Sequence, residues 1–140
     1  MIGAMADSDV AALQQVPLFS GLSGKDLKRL SKMLQERVFA PGDDIAVEGQ
    51  EGHGFFLIES GSATVTRGGE TVNSLGPGDW FGELALISKG PRTATVTASS
   101  ELRCRALASW EFRPFLQEHA DVAFSMLETL VERLRVAEGR

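Results

Sequence analysis

The stretch from Phe81 to Val96, FGELALISKGPRTATV, gathers the residue types of this chain best suited to chemistry. Gly82 and Glu83 open a run of helix formers, Leu84 to Ile87, long enough for one turn only. A single turn leaves its first N–H groups without internal partners, and such groups face an anion. Arg92 follows Pro91, which stiffens the approach, and precedes Thr93, which adds a hydroxyl. A guanidinium grips two phosphate oxygens in a fork that a lysine cannot reproduce. Glu83 is ill placed for a phosphate, but a carboxylate accepts a hydrogen bond from a ribose 2′-hydroxyl. Gly82, with no Cβ, lets a sugar approach the backbone. Phosphate and ribose hydroxyl side by side describe a nucleotide.

These residues need a frame, and the flanking periodicities supply one. Asp9 to Val16 reads as a short helix broken by Pro17 and Ser20-Gly21. A second helix is capped by Ser23 with Asp26 as its capping-box partner, stapled by Leu22 and Leu27, and ends near Gln35. Leu27, Leu30, Met33 and Leu34 share one of its faces. From Glu36 the period falls to two, in short runs through Val38, Ile45, Val47, Phe56, Ile58, Ala63 and Val65, punctuated by glycine turns. Gly68-Gly69 predicts a two-residue hairpin turn, and Pro77-Gly78 a type II turn. Ala94, Val96 and Ala98, then Leu102, Cys104 and Ala106, alternate with polar residues, one face buried and one wet. Ser109 caps a helix to Glu118, and Ala120 to Ala137 carries Ala123, Leu127, Leu130 and Leu134 on one stripe. The fold class is mainly β with flanking helices: N-terminal helices, a closed or two-sheet antiparallel middle, and two C-terminal helices.

Composition narrows the function. The chain has 140 residues, enough for one domain, which buries about 70% of its unfolded surface. Residues 9–140 form that domain, and residues 1–8 read as a disordered or expression-derived N-terminus. Fourteen basic and nineteen acidic residues give a net charge of −5 with no basic face, which argues against nucleic acid. The one cysteine, Cys104, has no partner for an internal disulfide, and no Cys/His cluster has metal-ligand spacing. No apolar run approaches the ~20 residues that span a bilayer, and no signal peptide opens the chain. The expected location is the cytoplasm, with no membrane contact.

FGELAL followed by PRTATV resembles the phosphate-binding cassette of cyclic-nucleotide-binding domains, the β-roll modules of catabolite-activator-type regulators, cyclic-nucleotide-dependent kinases and gated channels. The likeness runs from about Val16 to Arg135 and includes EGQEGHGFFLIESGSATV at Glu48 to Val65 and GPGDWFGE at Gly76 to Glu83. It implies a jelly-roll-like antiparallel β-roll and a cyclic nucleotide ligand, cAMP first and cGMP second, with no cofactor. Carried onto matching positions, Gly82 and Glu83 hold the 2′-hydroxyl. The backbone N–H groups of Leu84 and Ala85, with Arg92, hold the cyclic phosphate. Thr93 adds a phosphate or base contact, and it departs from the alanine of many cAMP-selective members toward the threonine of cGMP-selective ones. Arg133 on the last helix is the polar residue placed to stack on the base or bond it.

The resemblance further implies a regulatory module whose last helices move on ligand capture, acting on an effector protein or an effector domain elsewhere. Oligomeric state is left open. The alternative is a β-roll that binds no ligand and serves protein interaction or dimerisation. No Walker-type loop, nucleophile elbow or carboxylate pair supports an enzyme. His53, His119 and Lys89 read as solvated, Trp80 and Trp110 as packing residues, and Cys104 as a small buried hydrophobe.

Overall fold

Eight antiparallel strands carry the middle of the chain in the computed structural model, which describes residues 10–50, 54–82 and 92–137. They are β1 (Gln35–Phe39), β2 (Asp44–Ala46), β3 (Gly54–Ser60), β4 (Ala63–Arg67), β5 (Glu70–Leu75), β6 (Trp80–Phe81), β7 (Thr95–Ala98) and β8 (Leu102–Ala108). One four-stranded sheet has the order β1-β8-β3-β6 and the other β2-β7-β4-β5. Helices α1 (Gly24–Met33), α2 (Ser109–Glu118) and α3 (Ala120–Ala137) flank them, with a 3-10 turn at Pro17–Phe19 and helical residues 10–14. The mainly β architecture with N-terminal helices and two C-terminal helices is thus the observed one.

The chain divides into two compact units, Leu34–Arg113 and the combination of Met1–Met33 with Pro114–Arg140. In the strand unit, Ile58, Phe81, Leu102 and Cys104 of the first sheet meet Ala46, Ala63, Leu75, Val96 and Ala98 of the second in one apolar cluster. Alternation is what delivers these residues: in β8, Leu102, Cys104 and Ala106 are buried while Arg103 faces water. On the other side of β3, Phe55 packs against Trp80 at 6.0 Å and Phe112 at 4.5 Å. Edge strands β1 and β5 are exposed at almost every position, so they lack the alternation of the central strands.

Turn chemistry fixes the register. Gly68 and Gly69 both take positive φ, +59° and +81°, and join Arg67 to Glu70 in a two-residue hairpin. Gly78 has φ +89° and the Asp79 N–H donates to the Gly76 carbonyl at 3.0 Å, closing the turn that Pro77 starts.

The helical unit begins with a cap of the expected kind. The Asp26 N–H donates to Ser23 Oγ at 3.2 Å, and that hydroxyl donates to the Asp26 carboxylate at 3.0 Å. The helix α1 stops at Met33, since Gln35 already pairs with Ala106 in a sheet. The 3-10 turn packs on α3. Arg29 and Glu118 form an exposed ion pair at 2.7 Å, which raises the pKa of the guanidinium and lowers that of the carboxyl.

Three expectations need correction. The α3 stripe of Ala123, Leu127, Leu130 and Leu134 is not the buried one: Val122 and Met126 are buried, while Leu127 and Leu134 are 49% and 57% exposed. Apolar residues surround this helix, so hydrophobicity alone does not choose a face. Trp110 is 68% exposed and is not a core residue, unlike Trp80 at 4%. His119 is not solvated; its ring lies 4.4 Å from that of Phe115 and its Nε2 is buried 3.8 Å from an Asp26 carboxylate oxygen. His53 and Lys89 lie outside the described residues, as do residues 1–8. Among the described residues, no helix is long and apolar enough to cross a membrane.

Cys104 is fully buried, and burial followed by the nearby Glu59 charge pushes its thiol from 9.0 up to about 12. The folded state therefore keeps a proton that the unfolded chain sheds. This contribution to stability is intact below 9.0 and is lost as pH rises toward about 12. Folded protein should resist a thiol reagent at mildly alkaline pH and label only on addition of urea. Labelling at the unfolded rate without urea contradicts this.

Candidate functional site

Arg92 is placed by its backbone before its side chain is considered. Its N–H donates to the Gln50 carbonyl at 2.8 Å and its carbonyl accepts from the Gly49 N–H at 2.9 Å. These two bonds continue the pairing of β2 with β7 past the ends of both strands. The residue is thereby fixed on the second sheet, with its side chain half-buried.

The guanidinium then reaches the first sheet. Its Nη2 donates to the carbonyl of Gly54, the first residue of β3, at 3.2 Å. Gly82 follows β6 directly, with φ +88°, and a Cβ there would collide with the Gly54 carbonyl and stand 3.2 Å from Arg92 Nη1. Glycine is required at this position on both counts, backbone conformation and space. Arg92, Gly82 and Gly54 thus form one contact set although 28 and 38 residues separate Gly54 from the other two in sequence.

The aromatic residues beneath hold this set in register. Phe56 pairs with Phe81 across β3 and β6, their rings stacked at 5.1 Å and 15°. Phe81 is the residue before Gly82, so the stack sets where that glycine lies. A Cβ on Gly54 would in turn come within 2.9 Å of the Phe56 ring.

Of the residues singled out in the sequence, the structure brings Gly82 and Arg92 together. Thr93 stands next to Arg92, exposed. Glu83, Leu84 and Ala85 lie outside the described residues, as does the rest of the single turn expected at Gly82 to Ile87. Arg133 is half-buried on α3, in the helical unit, whereas Gly82, Arg92 and Thr93 belong to the strand unit. Sequence reasoning missed Gly54, whose carbonyl takes the guanidinium, and the Gly49-Gln50 pair that holds the Arg92 backbone. The cluster of glycines at 49, 52 and 54 was the available signal. The guanidinium is thus seated between two glycines at the ends of short strands, with one nitrogen on the Gly54 carbonyl.

Known proteins resemble this chain in sequence and in fold. A family model described as the cyclic nucleotide-binding domain matches residues 36–119. A cAMP-dependent protein kinase regulatory subunit of Hypocrea atroviridis is 42% identical over 104 residues, 74% of this chain and 22% of that protein. The chain therefore spans about a fifth of the length of that relative. The regulatory domain of Toxoplasma gondii PKA, solved with cAMP, superposes with a TM-score of 0.81 at 25% identity, over 91% of this chain and 50% of that one. The catabolite activator protein of Thermus thermophilus does so with 0.77 at 31% identity, over 87% and 60%.

Replacing Gly82 by alanine should cost about 1–3 kcal/mol of stability, because the new methyl meets a backbone carbonyl at a φ that disfavours it. Urea unfolding measures this. An unchanged midpoint would show that the close approach to Gly54 is not enforced.

Proposed function

Because the chain belongs to the cyclic nucleotide-binding domain family, we propose that it is a non-catalytic sensor that captures cAMP, with cGMP as the second ligand, and changes the packing of its C-terminal helices in response. The observation that carries this reading is the seat of Arg92. Its backbone is bonded on both sides, and its guanidinium lies against Gly82 with one nitrogen on the Gly54 carbonyl. The cyclic phosphate, a monoanion with two free oxygens, matches such a fork.

The remaining contacts follow the family's cassette. Glu83 with Gly82 takes the ribose 2′-hydroxyl, and the N–H groups of Leu84 and Ala85 share the phosphate with Arg92. Thr93 reaches the phosphate or the base, and Arg133 on α3 meets the base. Ligand energy is converted by a population shift between two packings, so differential affinity for them is all that is needed. Support for a second packing comes from α3, which exposes Phe124, Leu127, Val131 and Leu134. Each large apolar side chain gains about 1.5–3 kcal/mol on full burial. An arrangement that covers one or two of them competes with the present one on the scale of a ligand's differential binding. The output is an effector, either a separate cytoplasmic protein or another part of a longer chain.

Calorimetric titration with cAMP, cGMP and linear 5′-AMP tests the reading. Both cyclic nucleotides should bind, with 5′-AMP far weaker. Arg92→Ala removes the charged partner of a buried phosphate, a loss of about 2–5 kcal/mol, which is roughly 30- to several-thousand-fold in Kd. No heat with either cyclic nucleotide would instead favour a β-roll that binds no ligand and serves protein interaction or dimerisation.

Base choice is tested at Thr93. Thr93→Ala should widen the ratio of cAMP to cGMP affinity by about two- to ten-fold, the range for one hydrogen bond. An unaltered ratio means the hydroxyl does not read the base.

A further inference from the structure

The turn between β4 and β5 is tied to the segment that carries Arg92, and its ties come from two charged side chains absent from the contacts described above. The Glu48 carboxylate accepts the Gly68 N–H at 3.0 Å, and the Glu48 N–H donates to Thr95 Oγ1 at 3.0 Å. From the same turn, Arg67 Nε donates to the Thr93 carbonyl at 3.2 Å. Gly68 therefore hangs on one residue of the 48–50 segment while its neighbour Arg67 holds one residue of the 92–95 segment. Those two segments are the ones whose backbones pair at Arg92, through the Gly49 and Gln50 bonds.

We propose that Glu48 and Arg67 are positioning residues for ligand capture: together they pin the Gly68-Gly69 turn across the 48–50 and 92–95 segments and so hold Arg92 in its seat. This rests on the reading of the site as a cyclic phosphate receptor. The physical basis is preorganisation. Arg92 lies three residues before β7 begins, where its backbone is held by its bonds to Gly49 and Gln50. Bonds to the Thr93 carbonyl and the Thr95 hydroxyl restrict the strand just beyond it. A binding side chain already fixed before capture forgoes the ordering cost that a free one must meet.

The two residues carry opposite charges, and that separates a brace from simple electrostatics. If Glu48 acted only through its charge, removing it would strengthen capture of a monoanion. As a brace it does the reverse. Glu48→Met abolishes both the charge and the acceptor at nearly constant size, whereas Glu48→Gln abolishes the charge and keeps an acceptor for Gly68. Arg67→Met and Arg67→Lys divide the donor role in the same way.

The test measures the Kd and dissociation rate of cAMP and cGMP for the full chain and these four variants, with amide hydrogen exchange at Gly49, Gly68 and Arg92 recorded without ligand. Glu48→Met and Arg67→Met are expected to weaken binding about three- to ten-fold, mainly through faster dissociation. Glu48→Gln and Arg67→Lys should stay near the parent, and exchange at the Arg92 amide should quicken in both methionine variants. Binding by Glu48→Met as tight as the parent's or tighter, with exchange unchanged, overturns the proposal. Should the parent bind neither cyclic nucleotide, the reading of the site fails by itself, and the exchange data still decide whether the brace exists.

Discussion

A half-buried guanidinium is costly to place, and the strand unit is arranged around placing one. Arg92 is anchored to the second sheet by two backbone bonds and to the first by its side chain on the Gly54 carbonyl. It links the open ends of two sheets whose strands otherwise meet through their apolar faces. The link is short only because Gly54 and Gly82 lack side chains, and Gly82 is where it is only because Phe81 stacks on Phe56. Packing, turn conformation and the position of the charged group are therefore one constraint. A change in any of them moves the Arg92 guanidinium.

Much of this frame was legible in the residues, for reasons that are local. Ser23 with Asp26 caps a helix by its own side chain, Gly68-Gly69 can turn a hairpin without steric cost, and alternation in β8 announces its buried face. Cys104 falls on that face and is fully buried, as expected. The pairing of Gly82 with Arg92 was legible because a glycine, a short turn and a Pro-Arg step carry residue-type signatures. The partners that seat Arg92 were not, because they are backbone carbonyls of Gln50 and Gly54, and a carbonyl is common to every residue.

The helices were legible as helices but not by face. In α3, Val122 and Met126 are buried and Phe124 and Leu127 exposed, although all four are apolar and adjacent along the helix. Periodicity cannot rank faces that are equally hydrophobic; only the neighbours can. The same holds for His119, which the sequence shows as an isolated polar residue between two helices. Its surroundings, Phe115 on the preceding turn and Asp26 from α1, are brought to it by folding.

Charge imposes a last condition on how such a site works. The chain carries a net −5, so its overall field repels a monoanion and lends nothing to encounter. That repulsion acts between exposed charges through water and fades beyond about 8–10 Å at ordinary salt. A bidentate contact acts at hydrogen-bond distance, where solvent screening is weakest. On the proposed reading, capture draws its strength from contact-range groups, Arg92 foremost, rather than from attraction over distance. Added salt should for that reason change the association rate of the ligand little and in the direction of acceleration, opposite to its effect on proteins that gather anions with a basic face.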